Sequence, residues 1–248
     1  MQTQTPAATA GARASVLRAP SSTGPGPLAL LMALLALAAC GPQRLAVIGP
    51  VSDPEGAAVQ LQGETGLQEP LQIVFAWQLN ESGQRVRGRG VARVEPPYKA
   101  RLDLFLDNGE TVISAAMVDG DLRLPDGAPE DILPPPDLMW GALGVFRPHA
   151  GTRLLGAERL EGDGTLLRYG YADGTEIHYE VLAGSVRTLE VLEGGRVVQR
   201  VSLEPEVGDR YPVEATYRHM GEFRELRLER QSLRVADPFD PDIWDPRS

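Results

Sequence analysis

The chain's single cysteine stands where its sulfur could be modified. Cys40 directly follows the apolar run Leu28–Ala39, LALLMALLALAA, and Gly41-Pro42 come after it. That run of 12 residues is too short for a helix across a bilayer, which needs about 20. It has the length of a signal-peptide core, and Leu37-Ala38-Ala39 places small residues where a signal peptidase cuts. A cysteine directly after that site is the lipobox pattern. Its sulfur is diacylated, and the cysteine becomes the new N-terminus. A buried structural cysteine in a hydrophobic helix is the plainer reading, but it leaves the pattern, the position and the uniqueness of Cys40 unconnected.

Other reactive side chains do not gather by spacing. His149, His178 and His219 lie far apart, and no G-x-S-x-G, H-E-x-x-H or phosphate-cradling glycine loop occurs. With Cys40 acylated there is no Cys–His pair. No catalytic residue is expected, and the chain reads as a non-enzyme. The tail Asp237-Pro-Phe-Asp240-Pro-Asp242-Ile-Trp244-Asp245 offers carboxylates for calcium but lacks the glycine and distal glutamate of an EF-hand loop. Phe239 and Trp244 are expected to pin the chain end while the acids face water. Neither a metal nor a cofactor is expected.

Three segments follow: a signal peptide over 1–39, the lipidated cysteine with a flexible tether over 40–68, and a folded domain over 69–248. Two of the 24 basic residues and none of the 34 acidic ones precede Leu28, which leaves the mature part at about −12. Such a charge is not drawn to nucleic acid or anionic lipid by bulk electrostatics. Membrane attachment must come from the lipid, and two or more acyl chains are needed for a stable anchor.

From Leu71 onward the periodicity is that of strands. Ile73, Phe75, Trp77 and Leu79 fall on one face at period two. Val86–Glu95 carries Gly88 and Gly90, where a strand bends or bulges. In Tyr98–Leu106 the residues Tyr98, Ala100, Leu102, Leu104 and Leu106 face inward, with Lys99, Arg101, Asp103 and Phe105 outward. Asp107-Asn108-Gly109 is a hairpin turn returning into Thr111–Val118. On this reading Leu104→Asp unfolds the domain and Asp103→Asn is nearly silent. After Asp121–Leu124 and a proline-rich loop, Asp137 is placed to cap a helix over Leu138–Phe146. That helix is apolar almost all round, so it must be buried or plug something apolar. Seven further strands, between Arg153 and Leu233, recur about every ten residues, the spacing of an antiparallel meander.

One large antiparallel sheet has more apolar face than a single short helix can cover. It must close into a barrel, fold into a sandwich or hold a ligand. The aromatic and aliphatic stripes therefore form either a filled core or the lining of a cavity. The residues placed on that lining are Phe75, Trp77, Tyr98, Leu102, Leu104, Trp140, Leu143, Phe146, Tyr169 and Tyr179.

The order of features resembles one family. A lipobox leads to a strand with Phe75-Ala76-Trp77-Gln78. Long strands follow, then a helix after Ile132-Leu133-Pro134-Pro135-Pro136-Asp137, carrying Leu138-Met139-Trp140-Gly141-Ala142-Leu143-Gly144. This resembles the LolA/LolB superfamily of periplasmic lipoprotein carriers over residues 69–245. The resemblance implies a mainly β fold, an unclosed half-barrel of about 11 strands with one or two helices plugging its concave face. It implies a cavity for acyl chains and a place at the periplasmic face of the outer membrane, in lipid or lipoprotein trafficking. The family's lipid-anchored acceptor projects an apolar residue from a loop between early strands, whereas the matching turn here, Asp107-Asn108-Gly109-Glu110, is short and polar. The alternative function is a lipoprotein scaffold with a filled core, serving an envelope complex through its outer surface.

Overall fold

Alternating apolar residues draw most of the chain into strands. The computed structural model describes residues 45–128, 133–206 and 209–246. Its strands are β1 (Val47–Pro50), β2 (Leu71–Glu81), β3 (Gln84–Glu95), β4 (Lys99–Leu106), β5 (Thr111–Val118), β6 (Asp121–Arg123), β7 (Arg153–Leu160), β8 (Gly164–Gly170), β9 (Glu176–Leu182), β10 (Ser185–Glu193), β11 (Arg196–Glu204), β12 (Glu214–His219) and β13 (Arg224–Val235). The α-helices among the described residues are α1 (Pro54–Thr65) and α2 (Pro136–Ala142). All 13 strands form one sheet in the order β1-β7-β8-β9-β10-β11-β12-β13-β2-β3-β4-β5-β6. Every pairing is antiparallel, and the edge strands β1 and β6 do not meet. The architecture is thus an unclosed half-barrel, with two strands more than the eleven read from the sequence.

Residues 45–68, read as tether, are built into the domain. Val47–Pro50 pairs with β7, although a bulge interrupts the register. Asp53 caps α1 by accepting a hydrogen bond from the Gly56 N–H at 2.9 Å. Pro54 opens the helix, where its missing N–H is harmless. Leu61, Thr65 and Leu67 are buried. Cys40 and the signal segment lie outside the described residues.

The β4–β5 hairpin has the expected facing. Leu102 pairs with Ala115 and Leu104 with Ile113, and Leu104 is fully buried. Gly88 and Gly90 do not mark a bulge, because the β2–β3 register runs unbroken from Leu71–Val94 to Glu81–Gln84. They make room for aromatic rings. A Cβ on Gly90 would stand 2.3 Å from the Phe75 ring, and one on Gly88 would stand 1.9 Å from the Phe105 carbonyl oxygen.

The expectation for Asp103 is overturned. It faces outward yet is only 4% exposed. Arg93 and Arg101 donate to its carboxylate at 2.7 and 3.0 Å, and the Ser114 hydroxyl donates at 2.8 Å. The chain end supplies the cover. Arg101 donates to the Ile243 carbonyl and Arg123 to that of Trp244, in the short 3-10 turn Pro241–Trp244. Trp244 is buried and meets Phe239 edge-on, while Asp237, Asp240 and Asp242 are exposed. Asp103→Asn therefore leaves two half-buried guanidinium groups short of charge. Its expected cost is about 1.5–3 kcal/mol, the range for hydrogen bonds to charged groups. Urea denaturation reads it, and a shift below about 0.5 kcal/mol, the surface norm, would contradict this account.

Candidate binding groove

The plug helix is shorter than its apolar pattern suggests. Pro135 stands at the cap position and offers no side-chain cap, and Pro136 opens the first turn. Asp137 is therefore not the cap. The helix ends at Ala142 because Gly144 adopts φ +78°, a conformation open to glycine. The Gly144 N–H donates to the Gly141 carbonyl and the Val145 N–H to that of Trp140, the Schellman arrangement. Val145 and Phe146 lie beyond the helix but remain fully buried. The Phe146 N–H donates to the Thr65 hydroxyl at 2.9 Å, which ties this segment to the end of α1.

Asp137 turns its carboxyl inward, where the Tyr171 hydroxyl donates to it. Burial pushes the Asp137 carboxyl above the ordinary carboxylate range, against the pull of the Tyr171 hydrogen bond and of His149 and Arg147. Burial, then the Asp137 contact, pushes the Tyr171 phenol up. Tyr179 is fully buried and shifted up for the same first reason. Tyr179, Tyr169 and Phe146 pack as an aromatic cluster with centroids 4.8 to 6.1 Å apart. Trp140 meets Tyr98 edge-on at 6.0 Å, and the Arg147 guanidinium lies 3.5 Å over the Tyr98 ring.

Two apolar crevices flank the end of α2. One, of about 40 Å³, lies between Leu133, Met139, Ala142 and Leu143 on one side and Ala100, Leu102, Met117, Tyr217 and Leu226 on the other. The second, of about 50 Å³, is bordered by Ile73, Phe75, Leu102, Leu143, Tyr211, Pro212 and Arg230. Ala92, Leu102, Ala142, Leu143, Ala215 and Leu228 line both. A ligand site ordinarily has about 300–1,000 Å³. In this arrangement of α2 the crevices are seams between packed surfaces.

Of the ten residues placed on a lining by sequence, Phe75, Leu102 and Leu143 border these crevices. Trp77, Leu104, Trp140, Phe146, Tyr169 and Tyr179 are buried in the core and border neither, and Tyr98 is half-buried beside Trp140. Trp77 is fixed by its indole N–H, which donates to the carbonyls of Arg89 and Phe105 at 3.0 and 3.1 Å. Sequence reasoning missed Met117, Tyr217, Leu226 and Leu228, whose alternation was legible without showing which strands would adjoin α2. It also missed the extent of α1. An open groove of about 480 Å³ runs between Ala57, Gln60, Leu61 and Glu64 of that helix and Thr165, Leu167 and Val181 of β8 and β9. Asp53-Pro54-Glu55 was the available signal, a cap, an N1 proline and an acid in the first turn.

The histidines serve the surface. His178 contacts Glu176 at 2.7 Å and His219 contacts Glu222 at 3.7 Å. Among the described residues no three His, Cys, Asp or Glu side chains gather as a metal site would require.

The topology can be set beside solved structures. A LolA superfamily protein from Nitrosomonas europaea superposes with a TM-score of 0.52 at 11% identity, covering 76% of this chain and 96% of that one. This is a LolA-type fold. A DUF1329 family protein from Desulfovibrio piger shares the LolA-type fold of this chain with a TM-score of 0.55 at 12% identity, covering 79% and 98% of the two chains. No family model and no curated protein matches the sequence. The likeness therefore lies in the fold, not in shared residues.

Proposed function

We propose that the chain is a lipid-anchored binding protein that takes an acyl chain between α2 and the concave face of its half-barrel. The observation that carries this reading is the pair of apolar crevices meeting at Ala142 and Leu143. Both crevices border α2, a helix of seven residues without a side-chain cap. Opening the crevices means lifting α2, whose Leu138, Met139 and Trp140 are buried, so a ligand must offset the apolar area that the helix gives up. Displacing it would expose apolar area worth roughly 25 cal/mol per Å² to a ligand. No catalytic step is assigned. Cys40 would be acylated and hold the domain at the periplasmic face of the outer membrane, where it would serve lipid or lipoprotein trafficking. Gly41 after Cys40 favours the outer membrane, because an aspartate there retains lipoproteins at the inner membrane in enteric systems.

Leu143→Gln tests the reading. It should weaken binding of a fluorescent fatty-acid probe by about tenfold while the melting temperature falls little, because Leu143 is only half-buried. A large drop in melting temperature, together with a wild type that ignores the probe, would leave the second reading. In that one the chain is a scaffold for an envelope complex. The small volume of the crevices favours it.

A further inference from the structure

On the convex face of the sheet several outward arginines are met by carboxylates of neighbouring strands. Arg200 contacts Glu190, Arg218 contacts Glu225, Arg227 contacts Glu214, Arg168 contacts Glu158, and Arg93 contacts Asp103. On β3 the sequence Arg85-Val-Arg87-Gly-Arg89 sets three arginines on the outer face at period two, all exposed. Their direct partners on β2 are Asn80, Gln78 and Ala76, none of them charged. On the other side Arg89 faces Phe105. Arg87 has only a loose contact with Asp107, 3.6 Å between two well-exposed groups. Arg85 and Arg89 meet no carboxylate among the described residues. An open groove of about 380 Å³ runs there, floored by Ala76 and Gly88 and flanked by Arg87, Arg89 and Arg227, with the carboxylates of Asp107 and Glu229 at its border.

We propose that this stripe is a docking site for an acidic, extended segment of a partner protein. Alternate residues of a strand lie about 6.8 Å apart. The same repeat governs an extended peptide, so carboxylates at every second position would meet Arg85, Arg87 and Arg89 in register. Guanidinium forks suit carboxylates, which they can hold through two hydrogen bonds. Scale decides between a peptide and an anionic membrane. A planar surface faces the whole molecule, whose net charge is −10, and is repelled by it. A single segment lying in the groove is within about 8 Å of the arginines and screened from most of the distant acids. The site lies on the face opposite α2, so it does not depend on acyl-chain binding.

The test uses the full chain and a labelled heptapeptide with aspartate at every second position, set against the same peptide with asparagine. Fluorescence anisotropy should show binding of the aspartate peptide alone, weakening as salt rises. Replacing Arg85, Arg87 and Arg89 together with glutamine should weaken it by about tenfold or more, as three exposed ion pairs allow. Arg89→Gln alone should lower it in the same direction, and thermal melts should report an intact fold for both. A control with Arg153, Arg159 and Arg196 changed to glutamine removes equal charge elsewhere and should retain the affinity. The proposal fails if neither peptide binds, or if the control loses as much as the stripe variant. It also fails if phosphatidylglycerol vesicles hold the chain through the same arginines while the peptide does not.

Discussion

Leu104→Asp abolishes folding. Leu104 has no exposed surface, stands in the middle of β4 and pairs with Gly90 on one side and Ile113 on the other. A Cβ built on Gly90 would come within 2.9 Å of its Cδ2 atom, so the site has no slack. A carboxylate there finds no donor and loses the transfer energy of a buried leucine, about 1.5–3 kcal/mol. Burying the unpaired acid costs several kcal/mol more even after it takes up a proton. The total approaches the ~5–15 kcal/mol stability of an ordinary domain. Circular dichroism and gel filtration should show an unfolded or aggregated chain. A variant that keeps its strands and a cooperative melt would contradict the facing of β4.

The second large effect is expected from a single methyl group. Gly88→Ala sets a Cβ against the Phe105 carbonyl, 1.9 Å from its oxygen and 2.9 Å from its carbon, and 3.0 Å from Trp77 Nε1. Backbone cannot rotate away as a side-chain tip can. The β3–β4 pairing must open, or Trp77 must leave the two carbonyls that hold its indole. The expected loss is about 2–4 kcal/mol, in the upper range for overpacking. Gly63→Ala is the matching control. Nothing lies within 4 Å of its Cβ position in α1, and alanine in a helix gains about 0.5–1 kcal/mol over glycine. Urea midpoints should move in opposite directions for the two changes. Equal shifts would mean that Gly88 is not the rest on which Trp77 lies.

These cases show what the sequence can tell and where it stops. Period-two alternation placed β2 to β13 within a few residues, because one face of each is buried and the other is not. It could not place β1, since Val47–Pro50 is short, lies on an edge and leaves Val47 and Ile48 exposed. Composition shortened α1 to an element over Ala57–Gln62 within a tether, because its two glycines and N1 proline read as linker. The apolar run after Asp137 was legible as buried, but the helix stops where Gly144 turns left-handed, and the run continues as buried coil. Asp103 misled for a different reason. Alternation assigned it to solvent, whereas Arg93, Arg101 and Ser114 hold it and the distant chain end at Ile243 and Trp244 packs over those arginines. Leu102 and Leu143 were legible as apolar, whereas their meeting at one seam depends on how α2 crosses the sheet.

Whether that seam opens decides the function. A soluble form beginning at Gly41, purified from the periplasm without detergent, should carry its ligand through purification. Mass spectrometry of the organic-solvent extract should then find an acyl-bearing lipid close to one per chain, and much less in the Leu143→Gln protein. An extract without lipid, from a wild type that also ignores the fatty-acid probe, would contradict acyl-chain binding.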